Sequence, residues 1–164
     1  MSDLDLDVCI ERRAKIGVHP FTGVFGGFER VRAVRAIFGP DTENILGGLS
    51  VEVVRRRGYM KINDHKGSIE ISASYLKQGN EVDVYLDVIH ELVHIRQLRE
   101  GRELWDRRYE YVDRPTEIEA YKAAVKEARR LGMSEIDVAQ YLRVEWISEE
   151  TFERFLRNVG VMKA

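Results

Sequence analysis

His90-Glu91-Leu92-Val93-His94 is the stretch on which the reading of this chain turns. It lies inside the run Glu81 to Glu100, where Val84, Val88, Ile89, Leu92, Val93 and Ile95 recur at helical spacing. A helix is predicted there, with Asn80 as its N-cap and Gly101 just past its end. Residues i and i+4 of a helix stand one turn apart on the same face, so the imidazoles of His90 and His94 can reach one ion. Zinc accepts histidine nitrogens at about 2.0–2.1 Å and lowers the pKa of a bound water to about 7. Glu91 lies one step round from His90, close enough to hold such a water and take its proton. A buried helix carrying two histidines and a glutamate is costly unless the three are paired or bind a metal.

A zinc site needs a third protein ligand. His19 and His65 both lie upstream in predicted loops. A third histidine in the metzincin arrangement would need Gly at position 97 and His at position 100, where this chain has Gln97 and Glu100. A downstream carboxylate remains, and the segment Thr116 to Leu131, opened by Pro115, offers Glu117 and Glu119. At about 100° per residue, Tyr121, Ala124, Val125, Ala128 and Leu131 all fall within about 80° of Glu117. Glu119 falls on the opposite side with Lys122, Lys126, Arg129 and Arg130. A lone carboxylate in an apolar face calls for a metal or a cation, so Glu117 is the expected third ligand.

HELVH followed by a glutamate in Pro115-Thr116-Glu117-Ile118-Glu119-Ala120-Tyr121 resembles the gluzincin clan of zinc metallopeptidases, above all its compact members, the minigluzincins and ImmA/IrrE-like domains. The resemblance covers roughly residues 50 to 131. It implies one zinc ion per chain, held by His90, His94 and Glu117, with Glu91 as general base and acid in peptide hydrolysis. It also implies that the strand before the active-site helix, about Ser68 to Tyr75, binds an extended peptide or protein substrate by strand addition. Many members carry Asp or Asn four residues after the glutamate ligand, where this chain has Tyr121. Tyr109, Tyr111 and His65 are candidates for the electrophile that such a reaction needs.

The remaining sequence predicts an α+β fold. Residues 3 to 10 alternate Asp3, Asp5 and Asp7 with Leu4, Leu6, Val8 and Ile10, as a half-buried strand or arm does. The glycines and Pro20 of residues 17 to 27 predict a loop, and Glu29 to Phe38 a helix stopped by Gly39-Pro40. Leu49 to Arg56, Tyr59 to Ile62 and Ser68 to Tyr75 read as three strands of a small antiparallel meander, with Asn63 to Gly67 as a turn. Residues 102 to 114 are a polar, aromatic connection. Ser134 and Ser148 look like N-caps of two further helices, over 135 to 143 and 149 to 157. The expected architecture is a small, mainly antiparallel sheet packed on the HELVH helix and the glutamate helix, with a C-terminal helical cap. The expected division, within one compact unit, is an N-terminal arm, loop and helix over 1–48, a zincin-like core over 49–132 and a helical extension over 133–164.

Composition narrows the partners. In 164 residues, 26 Lys and Arg stand against 28 Asp and Glu, for a formal net charge of −2, so no strong field steers the whole molecule to nucleic acid or membrane. The last predicted helix opens with Glu149 and Glu150 and carries Glu153, which repel phosphate and argue against DNA binding despite a superficial helix-turn-helix outline. The acidic start lacks the basic, apolar pattern of a signal peptide, and a single Cys9 excludes an internal disulfide, so a soluble cytoplasmic chain is expected. Cys9 could also furnish a thiolate at the fourth metal position and keep the enzyme latent. A zinc-containing binding or regulatory module with little turnover is the alternative to a peptidase.

Overall fold

Short strands and helices alternate through the first half of the chain, and helices alone complete it. The computed structural model describes residues 6–162. In order they form β1 (Cys9–Ile10), β2 (Gly17–Pro20), α1 (Phe21–Val24), β3 (Phe25–Gly26), α2 (Arg32–Phe38), α3 (Thr42–Gly48), β4 (Ser50–Val54), β5 (Met60–Asn63) and β6 (Ser68–Ser72). These are followed by α4 (Ala73–Gln78), α5 (Glu81–Arg99), α6 (Pro115–Arg130), α7 (Glu135–Leu142) and α8 (Glu149–Asn158). The fold is α+β. No helix of the described residues is long and apolar enough to cross a membrane.

The four-stranded sheet runs β2-β4-β6-β5, with β4 parallel to β6 and the other pairs antiparallel. It is therefore mixed, and not the antiparallel meander that chain order predicts. Val51, Val53, Ile69 and Ile71 are essentially inaccessible to solvent, so β4 and β6 are both interior strands and come together. The turn between β5 and β6 is a tight local hairpin. Gly67 N donates to Asn63 O at 2.8 Å, Asn63 Oδ1 accepts from the amides of His65 and Lys66, and Gly67 adopts φ +65°. β5 is thereby placed at the edge of the sheet, and β6 is paired on both sides.

Three other expectations change. Residues 17 to 20 form β2, because pairing with β4 supplies hydrogen bonds that local Gly and Pro content does not reveal. The strand expected to reach Tyr75 stops at Ser72, whose side chain accepts from Tyr75 N and caps α4. Residues 42 to 48 form α3 just past Gly39-Pro40, where the expected helix stops. The alternating arm of residues 3 to 10 lies partly outside the described residues; within them only Cys9 and Ile10 are strand, paired with β3.

The long helices match their predicted starts. Asn80 accepts from the amides of Val82 and Asp83, Pro115 occupies the first turn of α6, and Ser134 and Ser148 cap α7 and α8. α5 buries residues on every side, from Val82 to Gln97, as a helix enclosed by other elements does. It packs against α6, α2 and β5. Phe21, Phe25, Phe28 and Tyr85 form a ring cluster with centroids 5.3–5.9 Å apart, which joins the N-terminal segment to α5. At the other end Asn158 Nδ2 donates to Val112 O at 2.8 Å and Arg154 Nε to Asp113 Oδ1 at 3.0 Å, tying α8 to the turn before α6.

Candidate metal centre

Helical spacing and the α5–α6 contact bring three donors to one point. His90 and His94 stand on the same face of α5, one turn apart, and Glu117 reaches them from the first turns of α6. His90 Nε2 and His94 Nε2 are 3.1 Å apart. Glu117 Oε1 lies 3.2 Å from His90 Nε2 and is hydrogen-bonded to His94 Nε2. All three residues are buried, and their ligand atoms lie within 4.8 Å of one another. Donors sharing a tetrahedral ion at about 2.0–2.1 Å are roughly 3.3 Å apart, so two of the three separations already suit an ion. The third is closer, because a direct hydrogen bond bridges His94 and Glu117. The cluster could hold a metal ion.

Electrostatics follow from burial and from that bridge. Burial opposes a charged His94, but its hydrogen bond to Glu117 and the charges of Glu91 and Glu117 prevail and push it up to about 9. Burial alone would raise Glu117, yet hydrogen bonds from His90 and His94 hold it far below the usual carboxylate range. His90 is pushed down, chiefly by burial. Metal ligation requires neutral imidazoles and an ionised carboxylate, so an ion binding here displaces the His94 proton.

Glu91 is not among the three donors. It is 7% exposed, lines the same cleft, and has no hydrogen-bond partner among the described residues. Burial pushes its carboxyl up to about 8. The cleft has a volume of about 260 Å³ and is walled by Met60 and Ile62 of β5, by Trp105, and by Tyr111 and Tyr121. A larger depression of about 540 Å³ near α3 gathers no comparable donor set.

Of the tyrosines and the histidine considered as electrophiles, Tyr111 is at the cleft. Its hydroxyl is 2.5 Å from that of Tyr121. Tyr109 and His65 do not line it, and His65 extends into solvent from the β5–β6 turn. The Tyr121 ring packs against His90 in a tilted contact, centroids 4.1 Å apart, and also meets Phe155 at 5.0 Å, so this position is aromatic packing. His90 Nδ1 is buried with no hydrogen-bond partner among the described residues. Cys9 is exposed on β1 and does not line the cleft.

Support for His94 comes from a residue that the sequence reading used only to exclude a different ligand pattern. Gln97 Oε1 accepts from His94 Nδ1 at 2.7 Å, which directs Nε2 to the centre. The Gln97 amide donates in turn to Thr116 O at 3.0 Å and to Glu119 Oε1 at 2.8 Å. Glu119 also receives Arg96 and Arg102, at 2.5 and 3.1 Å. Glu119 thus does sit among cations and away from the donors, but it also anchors the residue that orients His94. The available signal was spacing, since Gln97 follows His94 by three residues and shares its face. Gln97→Leu is expected to weaken metal binding by about 10–100-fold, measured by competition with a chelator, because it removes the acceptor that fixes the imidazole. Unchanged affinity would show that Gln97 serves packing alone.

Comparison with models of known protein families, with curated proteins and with solved structures finds no match to this chain.

Proposed function

We propose that this chain is a zinc-dependent peptidase in which His90, His94 and Glu117 hold the metal and Glu91 moves the proton. The observation that carries this reading is the convergence of three buried donors on a cleft that is also lined by the buried carboxyl of Glu91. Two histidines and a carboxylate suit zinc in a catalytic site, where a fourth position stays open. The likeness of HELVH and the Glu117 segment to compact gluzincins supports the same assignment, as does the contact of α5 with β5 at the sheet edge. Zinc bound here supplies a Lewis acid that polarises the scissile carbonyl and acidifies a water.

The chain's own residues do the rest. Glu91 accepts the proton of the attacking water and returns it to the departing amine. Tyr111, which lines the cleft and whose hydroxyl meets that of Tyr121, donates to the developing oxyanion. The substrate strand adds to β5, not to the Ser68–Ser72 strand, because β6 is hydrogen-bonded on both sides and β5 is the free edge beside α5. Met60 and Ile62 line the cleft from that edge. A peptide or protein is the fitting partner, and the acidic opening of α8 argues against nucleic acid.

Removal and return of the metal tests this reading. Purified chain is expected to contain about one zinc, to lose peptide cleavage on chelation and to regain it with added zinc. A chain that holds zinc tightly but cleaves no member of a broad peptide library is a zinc-stabilised binding module instead. A chain that holds no zinc sinks both readings.

A further inference from the structure

One carboxylate in the cleft is used neither by the donor cluster nor by the proposed proton transfer. Asp87 precedes Glu91 by one turn of α5 and lines the cavity together with His90, Glu91 and Tyr121. It is held from both sides. Tyr75 of α4 donates to Oδ2, and Tyr141 of α7 donates to Oδ1 at 2.7 Å. A carboxylate offers about four acceptor positions, so two hydroxyls leave capacity on the face toward the cleft.

No cation partners Asp87 among the described residues. Asp83, of its own sign, is the charge that acts on it, and Lys61, which also lines the cavity, is drawn instead to Glu70 at 3.9 Å. Desolvation prevails over the two tyrosine hydrogen bonds and pushes its carboxyl up to about 6. A half-buried, rigidly positioned anion without a bound counter-charge is costly. Joining three helices needs no ion, because a neutral acceptor would receive a tyrosine hydroxyl at less desolvation cost. Met60, Ile62 and Trp105 meanwhile furnish apolar walls suited to a methylene stem.

We propose that Asp87 forms the floor of a specificity subsite that takes an ammonium group of the peptide substrate, from a lysine side chain or a free N-terminus. The substrate brings the missing counter-charge, and the two tyrosines hold the carboxylate in position to receive it. This inference rests on the peptide-cleaving reading of the same cleft, but binding tests it without cleavage.

The experiment uses the zinc-loaded full chain carrying Glu91→Gln, with affinities measured by calorimetry. Three peptides serve as probes. One is acetyl-Ala-Ala-Lys-Ala-Ala amide, the second replaces lysine by norleucine, and the third is the norleucine peptide with its amine free. A charge-assisted contact predicts that a peptide bearing the ammonium binds about tenfold or more tighter than the acetylated norleucine peptide. An advantage of the lysine peptide assigns the subsite to the side chain, and an advantage of the free-amine peptide assigns it to the N-terminus. Adding Asp87→Asn should abolish the preference. Equal affinity for all three peptides overturns the proposal, as does a preference that survives Asp87→Asn. The first comparison needs no change at Asp87, so it decides even if that variant does not fold. Ammonium-selective binding by a chain whose wild type cleaves nothing would sink the peptidase reading and keep the subsite. Cleavage without ammonium selectivity would do the reverse.

Discussion

Glu91→Gln is expected to lower peptide cleavage by about 10²–10⁴-fold while zinc content stays unchanged. Glutamine keeps the shape and packing of a side chain that is only 7% exposed, so the helix and the donor cluster persist. What disappears is a group able to take a proton. Glu91 belongs to the cleft but not to the donor set, so metal occupancy and turnover should separate in this variant. Parallel measurements of zinc content and of kcat on a peptide cleaved by wild type check the result. A variant that retains full turnover would remove Glu91 from the chemistry, and one that loses zinc would make it a ligand.

Glu117→Gln is expected to produce the largest loss of metal, beyond the 10–100-fold typical of changes outside the ligand set. Its consequences extend to the metal-free protein, where Glu117 pairs with His94. His94 is raised from 6.5 to about 9, so its share of that stability is complete below 6.5 and vanishes as pH rises through about 9. Glu117 is depressed below 4.5, so its share is present above 4.5 and is lost as pH falls through its lowered value. The two shares are present together, in full, between about 4.5 and 6.5. Zinc competes with the His94 proton, so the rise in Tm that saturating zinc confers should increase from pH 6.5 to pH 8. In Glu117→Gln the zinc-dependent rise should be small at every pH, and the metal-free chain should lose its stability maximum in the acid range. A Tm gain from zinc that does not depend on pH in wild type would contradict displacement of that proton.

The donor residues were legible because they obey one periodicity. His90, His94 and the apolar residues around them declare a buried helix, and Glu117 stands in the apolar face of α6, which also buries Ala120, Ala124, Val125 and Ala128. The same counting sets Glu127 at the edge of that face, about 80° from Glu117, but does not say why it is buried: Tyr85 and Arg130 satisfy its carboxylate. It could not find that partnership, since Tyr85 lies on another helix. Gln97 was in view but unread for the same reason, because its meaning depends on Thr116 O and Glu119 across the α5–α6 contact. Strand existence was legible from Val51, Val53, Ile69 and Ile71, while strand order was not. The parallel β4–β6 pairing joins segments separated by β5, and only the burial of both strands reveals it. Residues 17 to 20 were hidden by their Gly and Pro, which mark loops locally but are tolerated on an edge strand.

That edge strand gives the sheet two dissimilar borders. β5 stands beside the cleft with its outer backbone groups free, while the opposite border is β2, four residues long, with Val18 67% exposed. A free border carrying an exposed valine is a template on which other copies of a chain can assemble. Here Gly17 enters at φ +135° and Pro20 lacks an amide hydrogen, so the ladder open to a second molecule is too short to propagate. The two residues that disguised β2 as a loop are thus its protection against aggregation.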